Sequence, residues 1–241
     1  MTVDTSVLPI HTRQKAYVST SVGHKAIMAV TGLVLFGYVV GHLLGNLQIF
    51  IGQNQINAYA QFLKDTPLLT YTARVLLLVA VILHIWNAVR LYFENRASRP
   101  VRYVCKDTVQ ATLSSRTMFW SGLGIFMFVV YHLLHFTFIA TNPQYKDLHD
   151  ALGRHDVYSM IILGFQNRII STVYLVSVFL VCYHLSHSIQ SFFQTLGLNN
   201  ERTDPFFRKL SVTVATLIFI GYTVIPLAVL TGIIMLPGEG H

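Results

Sequence analysis

Five stretches of this sequence are long and apolar enough to cross a bilayer: roughly 26–51, 68–93, 117–140, 167–193 and 209–236. A spanning helix needs about 20 predominantly apolar residues, and in hydrocarbon it must satisfy every backbone N–H and C=O within itself. The pattern predicts an all-α integral membrane bundle of five transmembrane helices, a single domain over residues 1–241. Breakers and polar residues separate the spans: Gly52 to Asp65, Glu94 to Arg116 with Pro100, Thr141 to Gln166 with Pro143 and Gly153, and Gly197 to Lys209 with Pro205. The 141–166 connection is long enough for a short lid or surface helix, and Pro226 is expected to kink the fifth span.

Charge supports this reading. Only 11% of residues are charged, against about 25% in soluble domains. The net charge of +7 therefore reads as membrane orientation rather than nucleic-acid binding. One side carries Arg13, Lys15, Lys25, Arg90, Arg96, Arg99, Arg102, Lys106, Arg116, Arg202, Arg208 and Lys209, and the other only Lys64, Arg74, Lys146, Arg154 and Arg168. That bias places the N-terminus in the cytoplasm and the C-terminus outside. The polar start of the chain has no short apolar core before a cleavage site, so no signal peptide is expected. Cys105 and Cys182 are far apart and form no metal-binding or disulfide pattern, and Cys182 reads as a small packing residue.

An internal echo points to function. Thr31 to Leu44, TGLVLFGYVVGHLL, returns ninety residues later as Ser121 to Leu134, SGLGIFMFVVYHLL, with eight of fourteen positions identical. Each copy ends in a histidine ten residues after a glycine, His42 after Gly32 and His132 after Gly122. The chain has eleven histidines, and six of them fall within the spans: His42, His84, His132, His135, His184 and His187. Ionisable side chains at such depth are costly and mark functional sites.

Counted from the cytoplasmic helix ends, His42 and His132 lie at about 25 and 23 Å, and His84 and His184 at about 14 and 15 Å. Four helices thus give one central histidine each, at two depths about 10 Å apart. A single iron needs both axial nitrogens at one level, which pairs His42 with His132 and His84 with His184. Two bis-histidine haems stacked across the membrane follow from this reading. Ligation needs neutral imidazole, the form that hydrocarbon favours.

His135 and His187 share a helix face with His132 and His184, as candidates for propionate contacts, outer partners of the ligands or alternative ligands. His24 with Lys25 is an interface anchor or a propionate partner. Arg74 and Arg168 are snorkelling residues or propionate partners of the outer haem, and Arg90 has the same role at the inner one. Gly37, Gly41 and Gly45 form a stripe for close helix packing or for clearance of a porphyrin edge.

With this pattern in view, the chain resembles the cytochrome b membrane-anchor subunit of bacterial succinate dehydrogenases and fumarate reductases, of the single-chain, five-helix, two-haem type. The residues that carry the resemblance are Thr31, Gly32 and His42 followed by HLLGNLQIFIGQNQINAYAQFL, then His84 and Arg90, Gly122 and His132, and His184 with Gly197 thirteen residues on. The resemblance implies axial ligands His42, His84, His132 and His184 for two b haems, and an iron–sulfur and a flavoprotein subunit docked on the cytoplasmic face. FAD and the iron–sulfur clusters belong to those partners, as does succinate chemistry. It further implies relay of electrons to a membrane quinone, menaquinone by analogy, within the respiratory chain and tricarboxylic acid cycle. The setting is the bacterial inner membrane, with a higher oligomer of the complex open. The basic 96–116 loop suits partner docking. Outer quinone candidates are Asn46, Gln48, Asn57, Tyr59 and Lys64; inner ones are His24, Lys25, Trp86 and Arg90. Some relatives carry a proton-conducting glutamate two residues before the fourth ligand, where this chain has Cys182. Two alternatives remain at this level: the cytochrome b subunit of another membrane dehydrogenase, and a haem-free transporter with histidines in a proton pathway.

Overall fold

The computed structural model describes residues 20–98 and 113–238. Seven α-helices make up the fold, and there is no β-sheet among the described residues. They are α1 (Ser21–Leu47), α2 (Gln53–Asp65), α3 (Pro67–Ala97), α4 (Leu113–His132), α5 (Val157–Gln166), α6 (Arg168–Thr195) and α7 (Asp204–Leu230). Five of them, α1, α3, α4, α6 and α7, are long and apolar enough to span a bilayer, as the hydropathy predicts.

The helix ends follow local chemistry more than hydropathy. α1 starts five residues before its apolar run because Thr20 caps it, Oγ1 accepting from Gly23 N at 3.1 Å. Asn167 caps α6 by accepting from the N–H groups of Ile169 and Ile170. Pro67 and Pro205 occupy first-turn positions of α3 and α7, where no N–H is needed. Gly197, at φ 74°, ends α6 with Leu198 N donating to Phe193 O, a glycine left-handed cap. α7 continues through Pro226 to Leu230 and stops short of residue 236, because Gly232 turns the chain at φ 73°.

Around the interior, α1 packs on α3, α3 touches α4, α4 packs on α6, and α6 touches α1. These four make a ring in which α1 faces α4 and α3 faces α6 across the diagonals without packing side by side. α7 lies outside the ring against α6 and α1. Cys182, Ala215 and Ile218 fill the α6–α7 seam, which gives Cys182 the packing role expected of it.

The two short helices cover one end. α2 was only a separator by hydropathy; it is an amphipathic helix that buries Ile56 and Asn57. α5 is the short helix that the 141–166 connection had room for. With α6 and α7 they enclose a cluster that includes Ile49, Ile56, Ile162, Phe165, Tyr174 and Ile225. Outside hydrocarbon, each fully buried isoleucine there is worth roughly 1.5–3 kcal/mol.

Polar clips join the cap to itself. The Asp156 carboxylate caps α5 through Ser159 N and takes bonds from Ser159 Oγ, Gln53 and Asn57. Asn57, fully buried, also donates to Asp150 and accepts from Tyr158 N. Asp150 pairs with Arg154 at 2.7 Å. That guanidinium holds the Asp150 carboxyl down at about 2.

Candidate functional site: two histidine layers inside the helix ring

The echoed segments place their side chains by helical phase. Eleven residues are just over three turns, so Thr31 and His42 share one face of α1, and Ser121 and His132 share one face of α4. His42 and His132 meet across the α1–α4 diagonal, while Thr31 and Ser121 reach histidines on the adjacent helices α3 and α6.

In the layer nearer the start of α1, the groups are His84 on α3 and His184 on α6. Thr31 Oγ1 lies 3.1 Å from His84 Nδ1, and Ser121 Oγ lies 3.0 Å from His184 Nδ1. The hydroxyl protons are committed elsewhere. Thr31 donates to Ile27 O at 2.8 Å, and Ser121 donates to Met118 O at 3.0 Å. Each oxygen therefore accepts the Nδ1 proton of its histidine, which leaves the Nε2 lone pair of both rings for a ligand. Neither Nε2 has a hydrogen-bond partner among the described residues. The glycines serve the same rings. A Cβ on Gly32 would stand 3.4 Å from His84 Cε1, and one on Gly122 would stand 3.6 Å from His184 Cε1. The sequence pattern tied Gly32 and Gly122 to His42 and His132; the shared geometric reason lies instead with the histidines of the other layer.

In the second layer His42 and His132 face each other, ring centroids 5.7 Å apart and planes at 83°. A metal held at about 2 Å by one nitrogen of each of two imidazoles puts their centroids roughly 6 Å apart. Tyr38 stacks on His42 at 5.3 Å, and Asn46 Nδ2 donates to His42 O. Tyr174 OH lies 3.3 Å from His132 Nδ1 and 3.0 Å from His135 Nδ1. His135 sits in a π turn, Leu133–Thr137, that continues α4. It is fully buried, with its ring 4.0 Å from that of Phe136, so no room remains beside it for a macrocycle.

The contacts also fix the distance between layers. Thr31 belongs to one layer and His42 to the other, eleven residues apart, or about 16 Å along α1; Ser121 and His132 repeat that interval on α4. The depth count from helix ends gave about 10 Å. It took the helix ends as level, whereas the Thr31–His84 contact requires α3 to project beyond the start of α1.

Two axial nitrogens per layer are too few for a bare ion, and no group of three or more His, Cys, Asp or Glu among the described residues is placed to hold one. They suit a metal whose remaining donors come from a macrocycle. Space agrees: a Cβ on Gly37 or Gly41 would meet nothing within 4 Å, so the stripe is no helix–helix seam at those positions. Gly45 does pack closely, against the ring of Tyr59 on α2. The residues present fit two bis-histidine haems.

The remaining candidates divide. His24, buried, places Nδ1 2.6 Å from Asn87 Oδ1 on α3, and its Nε2 is buried without a partner. His187 is half-buried on α6, one turn from His184. Lys25, Arg74, Arg168, Lys64 and Trp86 are exposed, with Arg74 over the Tyr71 ring at 5.7 Å. Arg90 pairs with Glu94 at 2.7 Å. Gln48 accepts from Gln55, and the Asn57 amide is spent within the cap. Residues 99–112 of the basic loop lie outside the described residues.

Sequence reasoning missed the roles of Thr31, Ser121, Asn87 and Tyr174. The first two had a signal, a hydroxyl before the glycine in both copies. Tyr174 and Asn87 had none.

A family model described as the succinate dehydrogenase/fumarate reductase transmembrane subunit matches residues 93–225. The match contains His132 and His184 and begins after His42 and His84. No curated protein and no solved structure matches the chain.

Proposed function

Since the chain belongs to the family of succinate dehydrogenase/fumarate reductase transmembrane subunits, we propose that it is a dihaem cytochrome b anchor. It relays electrons between an iron–sulfur subunit and a membrane quinone. The observation that carries this reading is the facing of His42 and His132 across one diagonal of the ring, with His84 and His184, on the helices of the other diagonal, each holding Nδ1 against a hydroxyl. A b haem in each layer supplies one-electron redox chemistry.

The chain's own residues do the rest. His84 and His184 present Nε2 in the near layer, His42 and His132 face each other in the far layer, and the helix ring surrounds both. Gly37 and Gly41 leave room for flat groups. With the N-terminus cytoplasmic by the positive-inside bias, the near layer is the inner one. It faces the side where the flavoprotein and iron–sulfur subunits dock, and succinate chemistry stays on those chains. The quinone is of the menaquinone class by analogy.

An optical redox titration of the purified complex, with haem and protein both quantified, tests the reading. The expected result is two b haems per chain at separate potentials, with His42→Ala removing the far component and His84→Ala the near one. An intact complex without a Soret band would overturn it.

A further inference from the structure

The two layers orient their imidazoles by different means. In the near layer, each histidine has its own hydroxyl, whose proton is tied to a backbone carbonyl. In the far layer, one phenol, Tyr174 OH, stands between two imidazoles, 3.3 Å from His132 Nδ1 and 3.0 Å from His135 Nδ1. No backbone carbonyl competes for its proton among the described residues. Tyr174 is itself buried and held by the rings of Phe128 at 5.2 Å and Phe165 at 5.0 Å. The close approach of α5 at Gly164, where a Cβ would stand 3.3 Å from His135 Cε1, seals the other side.

A phenol has one proton to give and lone pairs to accept. For His132 Nε2 to face His42 as a lone pair, the His132 proton must sit on Nδ1 and be donated to the Tyr174 oxygen. The phenol's own proton is then available to His135 Nδ1 at 3.0 Å, which sets the His135 proton on Nε2, a buried atom without a hydrogen-bond partner. The reverse order places the His132 proton on Nε2 and closes the position to a metal. We infer that Tyr174 is a positioning residue of the far layer: its phenol oxygen accepts the His132 Nδ1 proton while its own proton is held by His135, which fixes His132 in its ligating tautomer. This rests on the dihaem reading.

An acceptor on the distal N–H of a ligating imidazole raises its basicity, which favours the more oxidised metal and lowers the potential. Giving its proton to His135 makes the phenol oxygen a stronger acceptor. Tyr174→Phe keeps the ring and deletes only this oxygen.

The test is the redox titration of the intact complex carrying Tyr174→Phe, His135→Leu or both. The expected result is retention of the near component at its wild-type potential and an upward shift of the far component. A tenfold change in relative binding of the two oxidation states corresponds to 59 mV for one electron. His135→Leu should shift the far component in the same direction by less, and the double variant should match Tyr174→Phe alone, because the histidine acts through the phenol. If Tyr174→Phe does not assemble, the His135→Leu shift decides by the same sign. A far component at wild-type potential in either variant, or equal shifts of both components, overturns the proposal and leaves the dihaem reading standing. A wild-type complex without two haems overturns that reading first.

Discussion

At the scale of single residues, the near layer turns on two hydroxyls and two glycines. Thr31→Val keeps the shape and removes the hydroxyl partner of the part-buried His84 Nδ1, a hydrogen bond worth about 0.5–1.5 kcal/mol. Loss of an outer partner of this kind typically weakens a metal site about 10–100-fold. The expected outcome is selective loss of the near haem on dilution or detergent washing, read from the absorbance of that component, with Ser121→Ala acting alike through His184. The glycines differ in tolerance. Gly122→Ala meets His184 at an ordinary contact distance of 3.6 Å and should retain both haems. Gly32→Val puts branched carbons where a single Cβ already reaches 3.4 Å from His84, and should remove the near component. The four central histidines and both glycines were visible in the sequence, because few side chains other than functional ones interrupt such apolar runs. Their exact partnership was not: Gly32 is read naturally with His42 on its own helix, while the contact is to His84 on another.

At the scale of elements, the cap is where the sequence was least readable. A criterion of about 20 apolar residues finds spans and passes over α2, whose buried face is only part of a largely polar helix. Its tie to α5 depends on Asn57 and Asp156, which are 99 residues apart and share no pattern. Asp156→Ala removes a helix cap, worth about 1 kcal/mol, and strands the amides of Gln53 and Asn57, of which Asn57 is fully buried. The expected result is faster proteolysis within 53–65 and 148–166, with the spanning helices intact. Acid should act at the same place. Burial pushes the Asp156 carboxyl up, yet the bonds from Ser159, Asn57 and Gln53 outweigh it and hold it below the usual range. Asp150 is held at about 2 by Arg154. Both groups stabilise the cap fully above the ordinary carboxylate value of about 3.9, and that contribution is lost as pH falls through their lowered values, for Asp150 about 2. Protease sensitivity of the cap in detergent, followed between pH 5 and pH 2, measures it. The π turn after His132 was also invisible in sequence. It closes with Phe138 N donating to Leu133 O and Ala140 N to Leu134 O, and leaves Ile139 at φ 51°. A β-branched residue there is strained, and its burial at 9% exposure shows that packing holds it.

For the whole molecule, number and order of spans were legible, since hydrocarbon permits few ways to satisfy a backbone. The ring was not, because hydropathy does not say which helices touch. On the dihaem reading, its arrangement accounts for the proposed pairing of the first span with the third and the second with the fourth. These helices are diagonal, and only diagonal helices leave a flat group's width between them.

The interval from Thr31 to His42 has a further consequence. A one-residue deletion at Gly37 shortens the path between layers by only about 1.5 Å, yet it turns everything beyond it by about 100°. The chain tolerates error in length far better than error in phase. Such a deletion should therefore extinguish the far absorbance component and spare the near one, whose Thr31 lies before the cut. The helix acts here less as a ruler than as a screw thread: what it specifies for the two layers is the direction in which each is addressed, and their separation comes with the pitch.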